Sequence, residues 1–239
     1  MTFNQGKIVA KVRSITLKRK IGDHVTFGDQ EIKELSEFDV IWLRQDPPFD
    51  MGYITTTHLL DMVGQETLIV NNPFWVRNLP EKLLVLEFPE LIPNTLITRD
   101  LEEIKEFKRE FRDIIIKPLY GNGGAGVFRL KENDKNLVSL HELFSNISSE
   151  PLIAQEFLPD VKNGDKRIIL VDGEPVGAIN RVPLAGETRS NMHVGGQAQP
   201  VKLTERDREI CKVIGSTLKD KGQIFVGIDV IGKYLTEIN

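Results

Sequence analysis

A glycine-rich loop between two strand-forming segments constrains this chain more than any other feature. Residues 114–117 read as a strand that ends in Lys117, residues 121–126 are Gly-Asn-Gly-Gly-Ala-Gly, and residues 127–130 again favour a strand. A dinucleotide-binding fingerprint needs a helix directly after its glycines, and a P-loop needs Gly-Lys-Ser/Thr, so neither motif fits. The segment therefore predicts a flexible hairpin whose backbone N–H groups, together with Lys117, can lie over phosphates. An ordinary glycine turn beside a surface lysine is the alternative.

Composition limits the classes of protein to which the chain can belong. Its 239 residues suit two small domains, and 40% hydrophobic with 28% charged residues is typical of globular proteins. The net charge of −4 disfavours nucleic-acid and membrane-surface binding, which usually require a basic excess. No apolar run approaches the roughly 20 residues of a membrane span. The one cysteine, Cys211, excludes an internal disulfide and, in its helical apolar pattern, is expected to be a buried core thiol. We expect a cytoplasmic protein with no nucleic-acid or membrane partner.

The first part of the chain alternates between strand and helix patterns. Residues 7–17 read as two short extended segments, and residues 38–43 read as a buried parallel strand. The loop at residues 44–50 follows that strand and can wall a ligand site, or it is only a rigid proline turn. Residues 54–63 are helix-like and residues 67–73 read as a strand with its exit, which completes a βαβ-type unit.

The middle of the chain predicts further elements around the glycine loop. Helices are expected near residues 78–86, 102–112 and 137–146, and a strand is expected near residues 94–98. We expect a domain boundary near residue 79 and a subdomain boundary near Gln155.

A linker and a hairpin follow. Residues 152–159 read as a strand running into a linker, which can offer backbone N–H and C=O groups to an adenine edge. Residues 164–176 predict a hairpin with an Asp-Gly turn. Asp165 and Arg167 alternate onto one face of its first strand, where they can contact ribose hydroxyls and phosphate oxygens. A cross-strand surface salt bridge is the alternative.

The long polar loop at residues 181–197 is of the kind that forms a lid. Arg189 can neutralise a carboxylate substrate or a transferring phosphoryl group. His193 has no second histidine or cysteine at ligand spacing, which disfavours a zinc site.

The C-terminal segment combines two carboxylates and an amide. Glu237 and Asn239 share one face of a predicted strand because side chains alternate with a period of two. A three-residue turn, Gly232–Tyr234, would place Asp229 directly opposite Glu237, whereas a two-residue turn would place them on opposite faces. All-oxygen ligands of this kind suit Mg²⁺ held jointly with phosphates.

The ordered motifs resemble the bacterial glutathione synthetase family of the ATP-grasp superfamily from about Glu37 to Asn239. The matching motifs are Arg-x-Asp-Pro-Pro-Phe-Asp at residues 44–50, Lys-Pro-Leu-x-Gly-x-Gly-Gly-x-x-Val-Phe-Arg at 117–129, Gln-x-Phe-Leu-Pro at 155–159, Gly-Asp-Lys-Arg at 164–167, Asp-Gly-Glu-Pro-Val at 172–176, Gly-Glu-Thr-Arg-x-Asn at 186–191, Phe-Val-Gly-x-Asp-x-Ile-Gly at 225–232 and Leu-Thr-Glu-Ile-Asn at 235–239. The Asp-Pro-Pro-Phe-Asp sequence is more particular to this family than the glycine loop.

The resemblance implies a fold that mixes α/β and α+β architecture. Residues 1–79 would be a partial Rossmann-like, pre-ATP-grasp domain. Residues 80–154 would be the small ATP-grasp subdomain with its glycine-rich lid, and residues 155–239 an incomplete C-terminal subdomain. The family's pattern begins before Met1 and continues past Asn239, so we expect a chain truncated at both ends. Family members assemble as homo-oligomers, which makes a homo-oligomer possible here.

The resemblance also implies a reaction and a set of site residues. The carboxylate of γ-glutamylcysteine attacks the γ-phosphate of ATP, and glycine then attacks the acylphosphate, with Mg²⁺ or Mn²⁺ as the metal cofactor. The implied ATP ligands are Lys82, Lys117, Gly121, Asn122, Gly123, Gly124, Ala125, Gly126, Gln155, Glu156, Phe157, Leu158 and Asp165. The implied phosphate-stabilising, acylphosphate-stabilising or substrate-sensing residues are Arg167, Arg181, Arg189 and Asn191. The implied metal ligands are Asp229, Glu237 and Asn239.

Three other functions are alternatives to this one. A related ATP-grasp ligase that joins other amino acids is disfavoured by the Asp-Pro-Pro-Phe-Asp sequence. A non-catalytic or inactive nucleotide-binding fragment is disfavoured by the retained Asp229, Glu237 and Asn239, although truncation favours it. A protein-kinase-like fold is excluded because neither His-Arg-Asp nor Asp-Phe-Gly occurs.

Overall fold

The computed structural model describes residues 1–184 and 195–239. The chain divides into two units, Met1–Asn78 and Leu79–Asn239. Arg189, Asn191 and His193 lie outside the described residues.

The first unit contains a three-stranded sheet, a two-stranded sheet and two helices. Its elements are β1 (Thr2–Asn4), β2 (Lys7–Leu17), β3 (Val25–Glu34), β4 (Val40–Trp42), α1 (Met51–Asp61), β5 (Leu68–Val70) and α2 (Pro73–Asn78), with a 3₁₀ turn at Leu35–Glu37. Strands β1, β2 and β3 pair antiparallel in that order, while β4 and β5 pair in parallel.

The sequence predicted this unit only in part. The parallel pairing of β4 is confirmed, but its predicted burial is wrong, because Val40 is 51% and Trp42 is 55% exposed. Within β4 only Ile41 packs against the buried core of the unit, together with Phe38 and Leu43, which lie just outside the strand. The two short segments expected at residues 7–17 form one strand, which pairs along its length with the unforeseen β3. Helix α1 begins earlier than expected because the Asp50 carboxylate accepts the N–H of Tyr53 at 2.9 Å and caps it.

The second unit contains two antiparallel sheets. Its elements are α3 (Glu81–Leu84), β6 (Thr95–Thr98), α4 (Leu101–Phe111), β7 (Ile114–Pro118), β8 (Phe128–Leu130), α5 (Leu137–Ile147), β9 (Leu152–Glu156), β10 (Asp165–Val171), β11 (Glu174–Val182), β12 (Gln197–Pro200), α6 (Glu205–Asp220), β13 (Phe225–Ile231) and β14 (Tyr234–Ile238), with 3₁₀ turns at Val85–Glu87 and Pro159–Asn163. The strand orders are β6-β9-β7-β8 and β12-β11-β10-β13-β14. The glycine loop connects two strands, as predicted, and not a strand to a helix.

The sheet that begins the second unit is covered by two amphipathic helices. Asp100 caps α4 by accepting the N–H groups of Glu102 and Glu103, and the apolar stripe of α4 centres on the fully buried Ile104. Ile104 packs into one cluster with residues of β7, β9 and α5. The two helices predicted on either side of the glycine hairpin are thereby confirmed.

The five-stranded sheet has one apolar and one charged face. Side chains of Ile168, Leu170 and Ile228 are fully buried in a cluster that includes the apolar stripe of α6, and Cys211 lies in the same cluster as predicted. Because side chains alternate along a strand, the intervening residues of β10 and β13 point to the opposite face. That second face carries Asp165, Arg167, Asp229 and, across from Asp229, Glu237.

A β-bulge determines the register at the end of this sheet. Ile231 pairs with Tyr234, so the turn holds only Gly232 and Lys233, the length expected to separate Asp229 from Glu237. Asp229 nevertheless pairs with Glu237, because the register shifts by one residue between Asp229 and Val230. The pairing therefore does not require the three-residue turn, because Thr236 is an extra residue in β14 and shifts the register by the same amount.

Candidate functional site

Two buried lysines converge on Glu237. The Nζ of Lys117, on β7, lies 3.4 Å from Glu237 Oε1, and the Nζ of Lys82, on α3, lies 3.7 Å from the same oxygen. Lys82 also donates to the carbonyl oxygen of Gly121 at 2.6 Å and forms an ion pair with Glu81. Lys82 is 6% exposed and Lys117 is 8% exposed. The structure thus brings both sequence-predicted phosphate lysines to one carboxylate and to the start of the glycine loop.

Burial and charge act in opposite directions on these groups. Burial is the strongest influence on Lys82 and, despite the opposing charge of Glu237, lowers the pKa of Lys82 below its ordinary value. Burial alone would raise the pKa of Glu237, but Lys117, Lys82 and Arg167 together outweigh it and hold that pKa below its ordinary value. Glu237 is therefore ionised at neutral pH, the state that a carboxylate needs in order to bind a metal ion.

The glycine loop folds back over the ring of Pro118. Gly123, Gly124 and Gly126 have φ values of +61°, +80° and +72°, a backbone conformation that residues with a side chain rarely adopt. A Cβ at Gly126 would also lie 3.0 Å from the Pro118 ring. Inside the loop, the N–H of Ala125 donates to the carbonyl oxygen of Asn122 at 3.1 Å. Glycines are needed here both for the backbone conformation and for the close approach to Pro118.

Two arginines and two aspartates form a network on the charged face. Arg167 donates to both carboxylate oxygens of Asp229 at 2.5 and 2.8 Å. Arg181 donates to Asp165 at 2.5 Å and lies 2.8 Å from Asp229. Burial is the largest single influence on Arg167 and by itself would lower its pKa. The hydrogen bond and charge of Asp229, together with the charge of Glu237, outweigh burial, so the net effect raises the pKa of Arg167. The alternative of a cross-strand surface salt bridge is confirmed for Asp165 in its cross-strand pairing with Arg181, but the pair is not at the surface, because Asp165 is 7% exposed.

The predicted adenine linker has most of its hydrogen bonds occupied. The side chain of Gln155 donates to Thr95 at 2.8 Å, and the N–H groups of Glu156 and Phe157 donate to the carbonyl oxygens of Asn94 and Asp113, both at 3.0 Å. Among the described residues, the N–H of Leu158 has no such acceptor. Leu158 is therefore the member of the linker whose N–H can meet an adenine edge.

A residue that the sequence reasoning missed braces this linker. The Arg129 guanidinium lies 3.6 Å from the centroid of the Phe157 ring and donates to the Asp113 carboxylate at 2.5 Å. The hydrogen bond from Arg129 is the strongest influence on Asp113 and lowers its pKa. Arg129 ends the Val-Phe-Arg motif directly after the glycine loop, and that position was the only sequence signal for its role.

The acidic residues at the end of the sheet fit a hard divalent cation. Asp229 and Glu237 are cross-strand partners, and the backbone of Asn239 is hydrogen-bonded in both directions to Gly227 on β13. The part of the chain that the structure describes contains no group of three His, Cys, Asp or Glu side chains arranged to hold a metal ion. Two carboxylates and an amide suit an ion such as Mg²⁺, which takes few protein ligands and shares phosphate oxygens.

Comparisons with known proteins identify the family. Sequence models for the N-terminal domain and the ATP-grasp domain of prokaryotic glutathione synthetase match residues 1–77 and 81–239. The glutathione synthetase of Brucella melitensis is 59% identical over 239 residues, which are 100% of this chain and 77% of that protein. The glutathione synthetase of Agrobacterium fabrum is 58% identical, over 100% of this chain and 75% of that protein.

Solved structures show the same fold at low sequence identity. D-cycloserine synthetase DcsG superposes with a TM-score of 0.67 at 16% identity, over 85% of this chain and 76% of that chain. The ATP-grasp ligase PsnB, complexed with a minimal precursor, superposes with a TM-score of 0.60 at 17% identity, over 95% of this chain and 76% of that chain. The resemblance and the ATP-grasp fold predicted from the sequence motifs are confirmed, and the chain belongs to the prokaryotic glutathione synthetase family.

Proposed function

We propose that this chain joins glycine to γ-glutamylcysteine in an ATP-dependent ligation that releases glutathione, ADP and phosphate. Membership in the family supplies the reaction. The structural observation that carries the proposal is the single cluster in which Lys82, Lys117, Arg167 and Arg181 surround the carboxylates of the charged face. A buried group of cations beside a glycine loop is the environment that a polyphosphate and its transferring group require.

The cations perform the chemistry that this cluster supports. The carboxylate of γ-glutamylcysteine attacks the γ-phosphorus of ATP, the bond to the bridging oxygen breaks, and ADP leaves. Lys82 and Lys117 neutralise the phosphate charge, and Arg167 and Arg181 stabilise the transferring phosphoryl group and the acylphosphate. The amine of glycine then attacks the acyl carbon, phosphate leaves, and the amine loses its proton. No side chain acts as a covalent nucleophile, so the rate depends on alignment and charge neutralisation.

The nucleotide would extend from this cluster to the linker. Leu158 would offer its N–H to the adenine edge, and Glu156 and Phe157 would line the base. Asp165 would bind the ribose hydroxyls, and this requires its pairing with Arg181 to rearrange or be shared. Residues 121–126 would close over the phosphates, because successive N–H groups in a turn with left-handed glycines, such as Gly123, Gly124 and Gly126, can face an anion.

We further propose Asp229, Glu237 and Asn239 as the ligands of a divalent cation, Mg²⁺ or Mn²⁺. The ion would neutralise and orient the phosphate oxygens when bound. In the structure, the charges of Asp229 and Glu237 are balanced by Arg167 and by Lys117. Arg189 and Asn191, outside the described residues, remain predicted as a substrate-sensing residue and a stabiliser of the acylphosphate.

Several broader assignments belong to the same proposal. Residues 1–79 would form the partial pre-ATP-grasp domain, residues 80–154 the small ATP-grasp subdomain and residues 155–239 the C-terminal subdomain. The two units and the two sheets of the second unit support this division. No described helix is long and apolar enough to cross a membrane. A cytoplasmic location and a homo-oligomeric assembly remain predictions.

The release of ADP tests the proposed function. The chain is incubated with Mg-ATP while γ-glutamylcysteine and glycine are supplied singly and together. ADP release that requires both acceptors, with glutathione detected as the product, is the expected result. Arg167→Met should lower the rate of ADP release by about 100-fold or more while leaving it measurable, whereas Arg109→Met, which removes an exposed arginine on α4, should leave the rate unchanged. A folded chain that binds ATP but releases no ADP would favour the nucleotide-binding alternative.

A further inference from the structure

Gly227 lies on the charged face of the five-stranded sheet although it carries no side chain. It sits on β13 and pairs with Ile169 of β10. Arg167, two residues before Ile169, pairs with Asp229, two residues after Gly227. Directly paired residues of antiparallel strands share a face, so Gly227 is on the same side of the sheet as Arg167 and Asp229.

The side chain of Arg167 lies over Gly227. A Cβ on Gly227 would be 3.0 Å from Cδ of Arg167, 3.2 Å from its Nη1 and 3.6 Å from its Nε. Carbon atoms in contact ordinarily stand about 3.5–4.0 Å apart, so an alanine would force the arginine to shift by a few tenths of an ångström. The shifted atoms carry the guanidinium that donates two hydrogen bonds to Asp229.

The backbone of Gly227 holds a second candidate site residue. Its N–H donates to the carbonyl oxygen of Asn239 at 2.8 Å, and its own carbonyl oxygen accepts the N–H of Asn239 at 2.7 Å. Gly227 therefore lies beneath the side chain of Arg167, a proposed phosphate ligand, and is bonded through its main chain to Asn239, a proposed metal ligand. The φ of Gly227 is not in the left-handed region, so backbone strain does not explain the glycine.

We infer that Gly227 is a positioning residue of the ligase site, where the absence of a side chain sets the place of the Arg167 guanidinium. This inference rests on the proposed function for its effect on the rate, but its geometric part does not depend on catalysis. Gly177 is the matched control, since it pairs with the same Ile169 from the opposite side, on β11. A Cβ at Gly177 would meet nothing within 4 Å.

The first test compares Gly227→Ala with Gly177→Ala by steady-state kinetics. Since misplacement of a reacting group by about 1 Å can cost a factor of 100, a smaller shift of Arg167 should lower kcat about tenfold. The KM for ATP should change less, because Arg167 is placed at the transferring phosphoryl group. Gly177→Ala should stay within about twofold of the parent in both constants. In an Arg167→Ala background, Gly227→Ala should have no further effect on kcat.

The second test reads the position of Arg167 without turnover. The Nε–H resonance of Arg167, assigned by its loss in Arg167→Lys, should move in Gly227→Ala and stay in place in Gly177→Ala. An unchanged resonance would overturn the inference even if ligation is observed. A shifted resonance in a chain that makes no glutathione would instead uphold the geometry and refute the proposed function.

The folding of the Gly227→Ala variants also tests the contact between Gly227 and Arg167. If Gly227→Ala fails to fold alone but folds in the Arg167→Ala background, the contact between the two residues is upheld. Failure to fold in both backgrounds, or equal kinetic effects of Gly227→Ala in both, would overturn the inference.

Discussion

A buried ion pair joins the five-stranded sheet to α6, and we expect its loss to be among the most costly single changes in the second unit. Lys166 donates from Nζ to both carboxylate oxygens of Asp207, at 2.6 and 2.5 Å. The side chain of Asp207 is fully buried and that of Lys166 is 14% exposed. Asp207 also accepts the N–H of Thr204 at 2.7 Å, which completes the capping box of α6.

The expected loss for Asp207→Asn follows from these contacts. The amide oxygen can still accept the N–H of Thr204, so most of the cap remains. The ammonium of Lys166, however, is left without a carboxylate, and breaking a buried pair in this way costs about 3–5 kcal/mol. The small exposure of Lys166 allows some contact with water, which places the expected loss near the lower end, at about 3 kcal/mol. Lys166→Met should cost a similar amount, because it leaves the buried carboxylate of Asp207 unpaired.

Urea unfolding followed by far-UV circular dichroism measures this loss. Both tryptophans, Trp42 and Trp75, lie in the first unit, so tryptophan fluorescence reports that unit separately. The control is Glu106→Gln, which breaks an ion pair with Arg109 whose side chains are 72% and 73% exposed. That control should lose less than about 0.5 kcal/mol.

An Asp207→Asn variant as stable as the control would show that the buried pair does not stabilise the second unit. A double variant Lys166→Met/Asp207→Asn that loses the full sum of the two single losses would also contradict the prediction, since members of one pair should be coupled.

Three further outcomes are expected. Lys117→Met should raise the KM for ATP at least about tenfold in initial-rate assays, since hydrogen bonds to charged groups contribute about 1.5–3 kcal/mol; an unchanged KM would remove Lys117 from the phosphate site. Arg129→Met should raise the KM for ATP about threefold with little change in kcat, because the stack on Phe157 contributes about 0.5–1 kcal/mol; a loss confined to kcat would contradict this. Burial raises the pKa of Cys211 to about 11, so a thiol reagent should react with the folded chain far more slowly than with the urea-unfolded chain near the ordinary thiol pKa of about 8.5.

Local patterns in the sequence predicted much of the second unit. The glycine hairpin, the amphipathic helices on either side of it and the Asp-Gly hairpin each depend on residues close together in the chain, and each is present. The first unit was predicted less well. Strand β3 has few buried side chains, so hydrophobic alternation could not mark it, and its existence depends on pairing with β2.

The site shows the same division. The identities of Lys117, Arg167 and Asp229 were readable from motifs, since the charge and donor type of a side chain are properties of the residue itself. Their partners were not readable, because Lys117 meets Glu237 across 120 positions of sequence. Two uncharged residues, Gly227 and Thr236, the extra residue of β14, lie inside the motifs without any charge that indicates their role, yet they affect where the charged groups point.

The sequence by itself therefore determined the family, the types of chemical group available and the elements that local periodicity specifies. Tertiary structure alone decided which cations balance which carboxylates, how a bulge returned Glu237 to the face of Asp229, and why Gly227 must leave space for Arg167. The physical reason is that residue type and periodicity act locally along the chain. Register, burial and charge pairing arise only when strands distant in sequence come into contact.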